Sequence, residues 1–371
     1  MYPMKKLIVI IFISFFSFIS NAQECNCKLN FEALVNQVKP NYAGFNDKVN
    51  AKNLTYFNDF TSKLQNRAAN VKAIDSCYVI LKTWTNFFKD RHLRVQLGWR
   101  YREKFPEKVK EINKQFPKRN LPPAAPDKLT EETNITILEN DALLFRLPSF
   151  EWSEKKKIDS LITNYKSTLK DKPYWVIDLR GNAGGTDYAY DSLLPYLYTN
   201  PIKAKPDEYW ASDGNINILK ENLSDTNLPE GNKQFLSSVI KLMENNKGKF
   251  VNPSGKDFFL TTLDSVYTYP KKIAILIDRN SESSAESFLL NAKQSKKVIL
   301  FGENSAGVLD YANTQYFDLP QPDFKLVAAI SRSKRLPLYP IDNIGIAPDV
   351  KIPNDTPDKL KVILKKLKSK K

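Results

Sequence analysis

The chain has 371 residues, with 56 Lys and Arg against 41 Asp and Glu, three cysteines, 12 glycines and a single histidine, His92. The formal charge of +15 does not argue for nucleic acid, because the lysines are spread along the chain, mostly as pairs on predicted helix faces. Only Lys359 to Lys371 is a dense block, and it reads as a solvated amphipathic helix. Three cysteines beside one histidine make a poor zinc set, so no metal and no cofactor is expected.

Residues 1–22 read as a secretory signal. Lys5 and Lys6 precede an apolar run, Leu7 to Ile19, shorter than the ~20 residues of a membrane span. Ser20-Asn21-Ala22 closes it with small residues, so cleavage is expected near Ala22. The product is exported, periplasmic or secreted, with no integral membrane anchor in the mature chain. Export permits disulfides; Cys77 can pair with Cys25 or with Cys27 and pin the N-terminus.

From Asn30 to His92 the text is helical. Phe31, Leu34, Val35 and Val38 share one face; Ile74, Cys77, Leu81, Trp84 and Phe88 share another. Residues 99–120 are charged and helical, and Leu121 to Pro126 breaks the pattern as a linker. The text then turns α/β. Ile135–Leu138 and Ala142–Leu147 are a strand pair, Ser153–Leu169 a helix, and Tyr174–Leu179 a continuous apolar strand with a helix after it to about Leu197. Residues 200–265 are polar and irregular, with a helix near Lys233–Glu244, and read as an insertion or lid. Ile273–Ile277 and Val298–Phe301 are buried strands flanking a helix that ends near Ser295. Leu326–Ile330 is a further strand, before a loop to Asp349. Strands alternating with helices predict a layered α/β core. The expected organisation is a signal at 1–22, a helical domain with linker at 23–126, and an α/β core at 127–371 with the insertion at about 200–265.

Three stretches carry chemistry. His92 is the one side chain whose unperturbed titration falls near neutrality, and it stands at the end of a predicted helix, where the dipole favours an imidazolium. Gly181, Gly184 and Gly185 crowd the turn after a buried strand, where ligands sit in α/β sheets and where backbone N–H groups can hold an oxyanion. Ser283-Ser284-Ala285-Glu286 reads as a capping box opening a helix. A nucleophile also belongs there, since free N–H groups at a helix start stabilise a developing negative charge. A base needs a third group to orient it, for which Asp342 and Asp90 are candidates.

The run Asp178-Leu-Arg-Gly-Asn-Ala-Gly-Gly185, then Ser281-Glu-Ser-Ser-Ala-Glu286, then Phe301-Gly-Glu-Asn-Ser-Ala-Gly307 and Gly345-Ile-Ala-Pro-Asp349 resembles the tail-specific or C-terminal-processing serine peptidases. The likeness covers roughly residues 135–352, and Asp90-Arg-His92 extends it. It implies a ClpP/crotonase-like core of ββα repeats. The processing branch has a catalytic lysine where this chain has Val308, and it carries a PDZ domain, for which the stretch between His92 and Ile135 is too short. Both departures resemble the tricorn-like branch. That resemblance implies Ser283 as nucleophile, His92 as base and Asp342 as its carboxylate, with Gly184 or Gly185 and Ser284 supplying oxyanion donors. The substrate implied is a peptide or unfolded protein, cut internally or at its carboxyl end. Two rival expectations are a non-catalytic binding protein on this fold, as in resembling retinoid-binding modules, and an esterase using the same site.

Overall fold

In the computed structural model, residues 25–116 and 132–369 are described; the expected signal segment and the linker Leu121–Pro126 lie outside them. The strands Ala142–Arg146, Tyr174–Asp178 and Lys272–Ile277 are near-continuous apolar runs. Such runs suit a parallel sheet covered on both faces, and this is where they lie. The six-stranded sheet has the order 350–351, 298–302, 272–277, 174–178, 142–146, 134–139. All neighbours are parallel except the hairpin of 134–139 with 142–146. Alternate residues of one strand enter different cores. Trp175 and Ile177 pack with Phe288 and Leu289 on one face, and Val176 packs with Ile363 and Leu364 on the other. Each fully buried side chain of this size contributes ~1.5–3 kcal/mol.

The tail expected to be solvated is the helix Lys359–Lys368. Its apolar stripe closes the second of these cores, because Ile363, Leu364 and Leu367 recur at helical spacing on one side.

The helical text of residues 30–92 forms Cys27–Asn41, Leu54–Ala68 and Ile74–Thr85. A short 3₁₀ turn, Asn86–Phe88, follows, and Lys89 adopts a left-handed φ of 50° that ends it. His92 therefore sits in a turn beyond the helix, with less help from the helix dipole than the sequence promised. The next residues, Arg94–Leu97, form a strand that the sequence reading missed. It pairs antiparallel with Phe324–Ser333, and Tyr311–Asp318 pairs with that same long strand.

Residues 200–265 are more regular than expected. They hold the short strands Ile202–Ala204, Asp207–Trp210, Phe250–Val251 and Phe259–Thr261, and the helices Asp213–Leu223 and Glu230–Glu244. Ile216, Leu219, Val239 and Met243 join the core built by the N-terminal helices. Asn215 Nδ2 donates to the Asn41 carbonyl at 2.9 Å, and Ser212 Oγ donates to Asn41 Oδ1 at 2.8 Å.

Of the two pairings open to Cys77, the structure contains Cys27–Cys77, with Cα atoms 5.4 Å apart; Cys25 is buried and free. Closing a loop of 50 residues restrains the unfolded chain by up to roughly 4 kcal/mol. Cys77→Ser should therefore lower the denaturant midpoint substantially. A midpoint equal to that of the oxidised wild type would contradict this role for the bridge.

Candidate active site

Three adjacent parallel strands end on one edge of the sheet and bring three turns together. The turn after Tyr174–Asp178 meets the turn after Lys272–Ile277 through Glu282 N–H to the Asn182 carbonyl (2.9 Å), Gly181 N–H to Asp278 Oδ1 (3.0 Å) and Ser281 Oγ to the Leu179 carbonyl (2.8 Å). The turn after Val298–Gly302 joins through Ala306 N–H to the Ser281 carbonyl, 2.9 Å. Beneath the first turn, Asp178 is held by a buried two-point contact from Arg180, at 2.9 and 2.7 Å.

Ser283 caps the helix Ser284–Ala292 with φ 57° and ψ −119°. A serine held in this sparsely populated backbone region needs strong restraint, and such strain clusters at functional turns. The restraint comes from Glu286. Its buried carboxylate accepts from Ser283 N–H at 3.2 Å, the acidic half of the expected capping box. It also accepts from Ser305 Oγ at 2.6 Å and from Gly307 and Val308 N–H at 2.7 Å each. Burial raises the Glu286 carboxyl above the usual range, and these four hydrogen bonds oppose that rise.

Gly184 shows why this turn is rich in glycine. Its φ is 85°, and a Cβ there would stand 2.8 Å from Ser283 Cβ and 2.9 Å from Ser284 N. Its own N–H donates to Asn182 Oδ1 at 2.9 Å, which removes it from the expected oxyanion donors. The N–H of Gly185 takes no part in the bridge between Phe150 and residues 184–186. Ser284 opens a helix, and the first N–H groups of a helix have no intrahelical acceptor.

His92 reaches the site from the other sheet. Its N–H donates to Asp90 Oδ1 at 2.8 Å, and Asp90 Oδ2 accepts from the buried Tyr42 hydroxyl at 2.6 Å. Arg91 pairs with Glu282, the residue before Ser283, with Nη2 to Oε1 at 3.1 Å. The histidine turn and the serine turn are thus tied by their flanking residues. His92 and Ser283 line one cavity of about 700 Å³, together with Gly185 and Ser284.

The ring nitrogen expected to face Asp342 faces a backbone carbonyl. His92 Nδ1 lies 2.6 Å from the Tyr311 oxygen. Asp342 Oδ1 instead accepts from Leu309 and Asp310 N–H, at 3.1 and 2.9 Å, and Lys48 Nζ stands 3.7 Å from Oδ2. The second expectation corrected here concerns charge. Burial lowers the His92 pKa below its ordinary value, against the opposing pull of Asp90 and the Tyr311 hydrogen bond. The helix end that favours an imidazolium in the sequence is outweighed by this burial. The Tyr311 carbonyl could not have been found from side-chain motifs, because any residue type supplies one.

These turns carry the likeness to known proteins. Residues 141–352, over half of the chain, match peptidase family S41, and the chain belongs to that family. No curated protein is similar enough in sequence to match. Among solved structures, mature CPAF in complex with lactacystin is 13% identical, with 92% of this chain and 99% of that chain covered and a TM-score of 0.58. A candidate peptidase from Parabacteroides merdae is 16% identical over 94% and 98%, TM-score 0.56. A lipoprotein from Streptococcus agalactiae is 15% identical over 93% and 96%, TM-score 0.50. At such identities the likeness is one of fold. Among the described residues no helix is long and apolar enough to cross a membrane.

Asp342 generates a stability prediction. Burial raises its carboxyl pKa, and the charges of Asp90 and Asp310 raise it further. A carboxyl raised on folding binds more protons in the native state. Its contribution to stability is complete below the ordinary value of ~3.9 and is lost as pH rises through the raised one. Asp342→Asn keeps an acceptor for the two N–H groups and removes the charge. Between about pH 5 and about pH 8 the wild type should lose stability relative to this variant, by about 1 kcal/mol or more. Parallel stability curves, measured by denaturant titration, would contradict the buried-charge account.

Proposed function

We propose that this protein is an exported serine peptidase in which Ser283 is the nucleophile and His92 the base, oriented by a backbone carbonyl. The observation that supports this most is the cavity shared by His92 and a strained Ser283 at a helix start. A carbonyl oxygen can only accept a hydrogen bond. Nδ1 of His92 therefore carries the proton donated to Tyr311, and Nε2 is left bare to accept one. Burial keeps the resting ring neutral, the state a base requires.

In the reaction, Ser283 Oγ bonds to the scissile carbonyl carbon as its proton passes to Nε2. The carbonyl π electrons move onto oxygen, where the N–H groups of Gly185 and Ser284 hold the negative charge. The imidazolium then protonates the leaving amine as the C–N bond breaks. Water attacks the resulting ester by the same route in reverse, which regenerates the serine. In this account Asp342 is a buried neighbour rather than the third member. Asp90 fixes the turn through the His92 backbone and stabilises the imidazolium at short range. The missing lysine at Val308 fits a histidine-dependent enzyme, and the peptide substrate and export belong to the same proposal.

Two measurements follow. Ser283→Ala and His92→Ala should each abolish most turnover, and the double variant should lose little more, because members of one unit are not additive. Losses that multiply would separate the two residues, and unchanged labelling of Ser283→Ala by a serine-reactive phosphonate would move the nucleophile elsewhere. The kcat/KM profile should rise with pH through one ionisation below ~6.5, the ordinary histidine value, since protonated His92 cannot act. His92→Gln should be inactive throughout; an active variant keeping the same acid limb would assign that limb to another group.

A further inference from the structure

The acceptor that orients His92 is itself held from outside the cavity. Ser333 N–H donates to the Asp310 carbonyl at 2.8 Å, so the alternation of an antiparallel pair turns the next carbonyl, that of Tyr311, away from the partner strand. There it meets His92 Nδ1 at 2.6 Å. Among the described residues, the strand Tyr311–Asp318 pairs only with Phe324–Ser333, so this edge has no ladder to fix it. Asn313, two residues on, has a φ of 55° and departs from extended backbone. The restraint comes through the Tyr311 side chain. Its hydroxyl donates to Asp47 Oδ2 at 3.0 Å, and Lys48 Nζ stands 5.1 Å from its ring centre. Asp47 Oδ2 also accepts from Arg332 Nη1 at 3.3 Å, and Arg332 is the residue paired with Tyr311 across the two strands. One carboxylate thus fastens both members of that pair.

The same segment reaches His92 a second way. The Tyr42 hydroxyl donates to Asp90 Oδ2 at 2.6 Å, and Asp90 Oδ1 accepts the His92 backbone N–H at 2.8 Å. The Tyr42 and Tyr311 rings meet with their centres 5.7 Å apart. Gly44 lies against both: a Cβ there would stand 2.3 Å from the Tyr42 hydroxyl and 3.0 Å from Tyr311 Cε1. Ala43 N–H donates to the Ala329 carbonyl at 3.0 Å, which seats the segment on the long strand. Burial raises the Tyr311 hydroxyl pKa, and the charge of Asp47 raises it further, so the phenol keeps its proton and remains the donor. Neither Tyr42 nor Asp47 lines the cavity of His92 and Ser283.

Resting on the serine-peptidase reading, we infer that Asp47 is a positioning residue for the base: it holds Tyr311, and thereby the carbonyl that fixes the Nδ1 proton of His92. Tyr42 is its counterpart on the backbone side, acting through Asp90. Residues 42–48, from the N-terminal helical region, therefore set the direction of Nε2 without touching substrate. Small displacements matter here, because a nucleophile and its base act only in close alignment.

The experiment uses the full mature chain labelled with ¹⁵N-histidine, as wild type, Asp47→Ala, Asp47→Asn and Tyr311→Phe, with kcat and KM measured on fluorescein-labelled casein. Asp47→Ala should lower kcat by about 10- to 100-fold, the scale of a small misplacement of reacting groups, with KM little changed. The Nε2-protonated tautomer should appear in its nitrogen spectrum. Asp47→Asn keeps an acceptor for the phenol and should return both readouts towards wild type. Tyr311→Phe keeps the carbonyl and loses the hydroxyl, so it should match Asp47→Ala, and the double variant should lose little more. A lowered denaturant midpoint with wild-type kcat and tautomer would reduce Asp47 to a structural tie and overturn the proposal. Losses that multiply between Asp47→Ala and Tyr311→Phe would overturn it as well. The spectrum separates this role from the reaction. A tautomer shift in Asp47→Ala, with no casein turnover and no phosphonate labelling in wild type, would refute the peptidase reading and leave the positioning role standing. Turnover by wild type, with kcat and tautomer unchanged in Asp47→Ala, would do the reverse.

Discussion

The arrangement of the site depends on one buried carboxylate. Glu286 is completely enclosed, and its two oxygens take hydrogen bonds from Ser283, Ser305, Gly307 and Val308. Enclosing a carboxylate is expensive unless every lone pair has a donor. The donors here come from two different strand-end turns, so the cost is offset only when both turns are in place. Ser305 extends the network, since its hydroxyl also accepts from Ile346 N–H at 2.6 Å. This draws in the loop that carries Gly345. One side chain thus makes the backbone of Ser283, the 305–308 turn and the 345–346 turn mutually dependent. The unusual φ of Ser283 is sustained by this network rather than by any local preference of serine.

The second requirement is to bring His92 to the sheet edge from a separate layer. The helices before it cannot do so by their own packing. The strand Arg94–Leu97, paired to Phe324–Val327, fixes the chain direction just after the histidine. Tyr42 and Asp90 fix it just before, and Asn343 Nδ2 donates to the Lys89 carbonyl at 2.8 Å. The Arg91–Glu282 pair then joins the histidine turn and the serine turn directly. That pair is half exposed on the arginine side, so its worth lies in registration more than in stability. The Tyr311 carbonyl finishes the orientation, because the strand it begins is part of the same antiparallel sheet.

What could be read from the sequence follows from physics of different range. The parallel strands were legible because burial on both faces writes a continuous apolar run. The helix start at Ser283 and Ser284 was legible because the S-x-x-E pattern after such a strand marks a capping box. The strand Tyr311–Asp318 was not, since it is mixed in polarity and half exposed, and it is held by pairing with a partner remote in sequence. The same strand supplies the acceptor for His92, so the orienting group was hidden with it. The capping motif was read correctly in its acidic half, yet nothing local showed that Glu286 would also bind Ser305, Gly307 and Val308. Gly184 was read as an oxyanion donor; Asn182, two residues away, takes its N–H. The displacement of the His92 pKa was misjudged because burial is a property of the whole fold and the carboxylate is visible in the motif.

The central claim is that His92 rests neutral, protonated on Nδ1, with Nε2 directed to Ser283. A single histidine makes this directly measurable. In protein labelled with ¹⁵N-histidine, the nitrogen spectrum contains one imidazole, whose two resonances report tautomer and titration without assignment ambiguity. The account predicts a protonated Nδ1 and a bare Nε2 at neutral pH. It further predicts titration below the ordinary histidine value and a changed Nε2 environment once a phosphonate occupies Ser283. A proton resting on Nε2, or a titration indifferent to modification of Ser283, would contradict it.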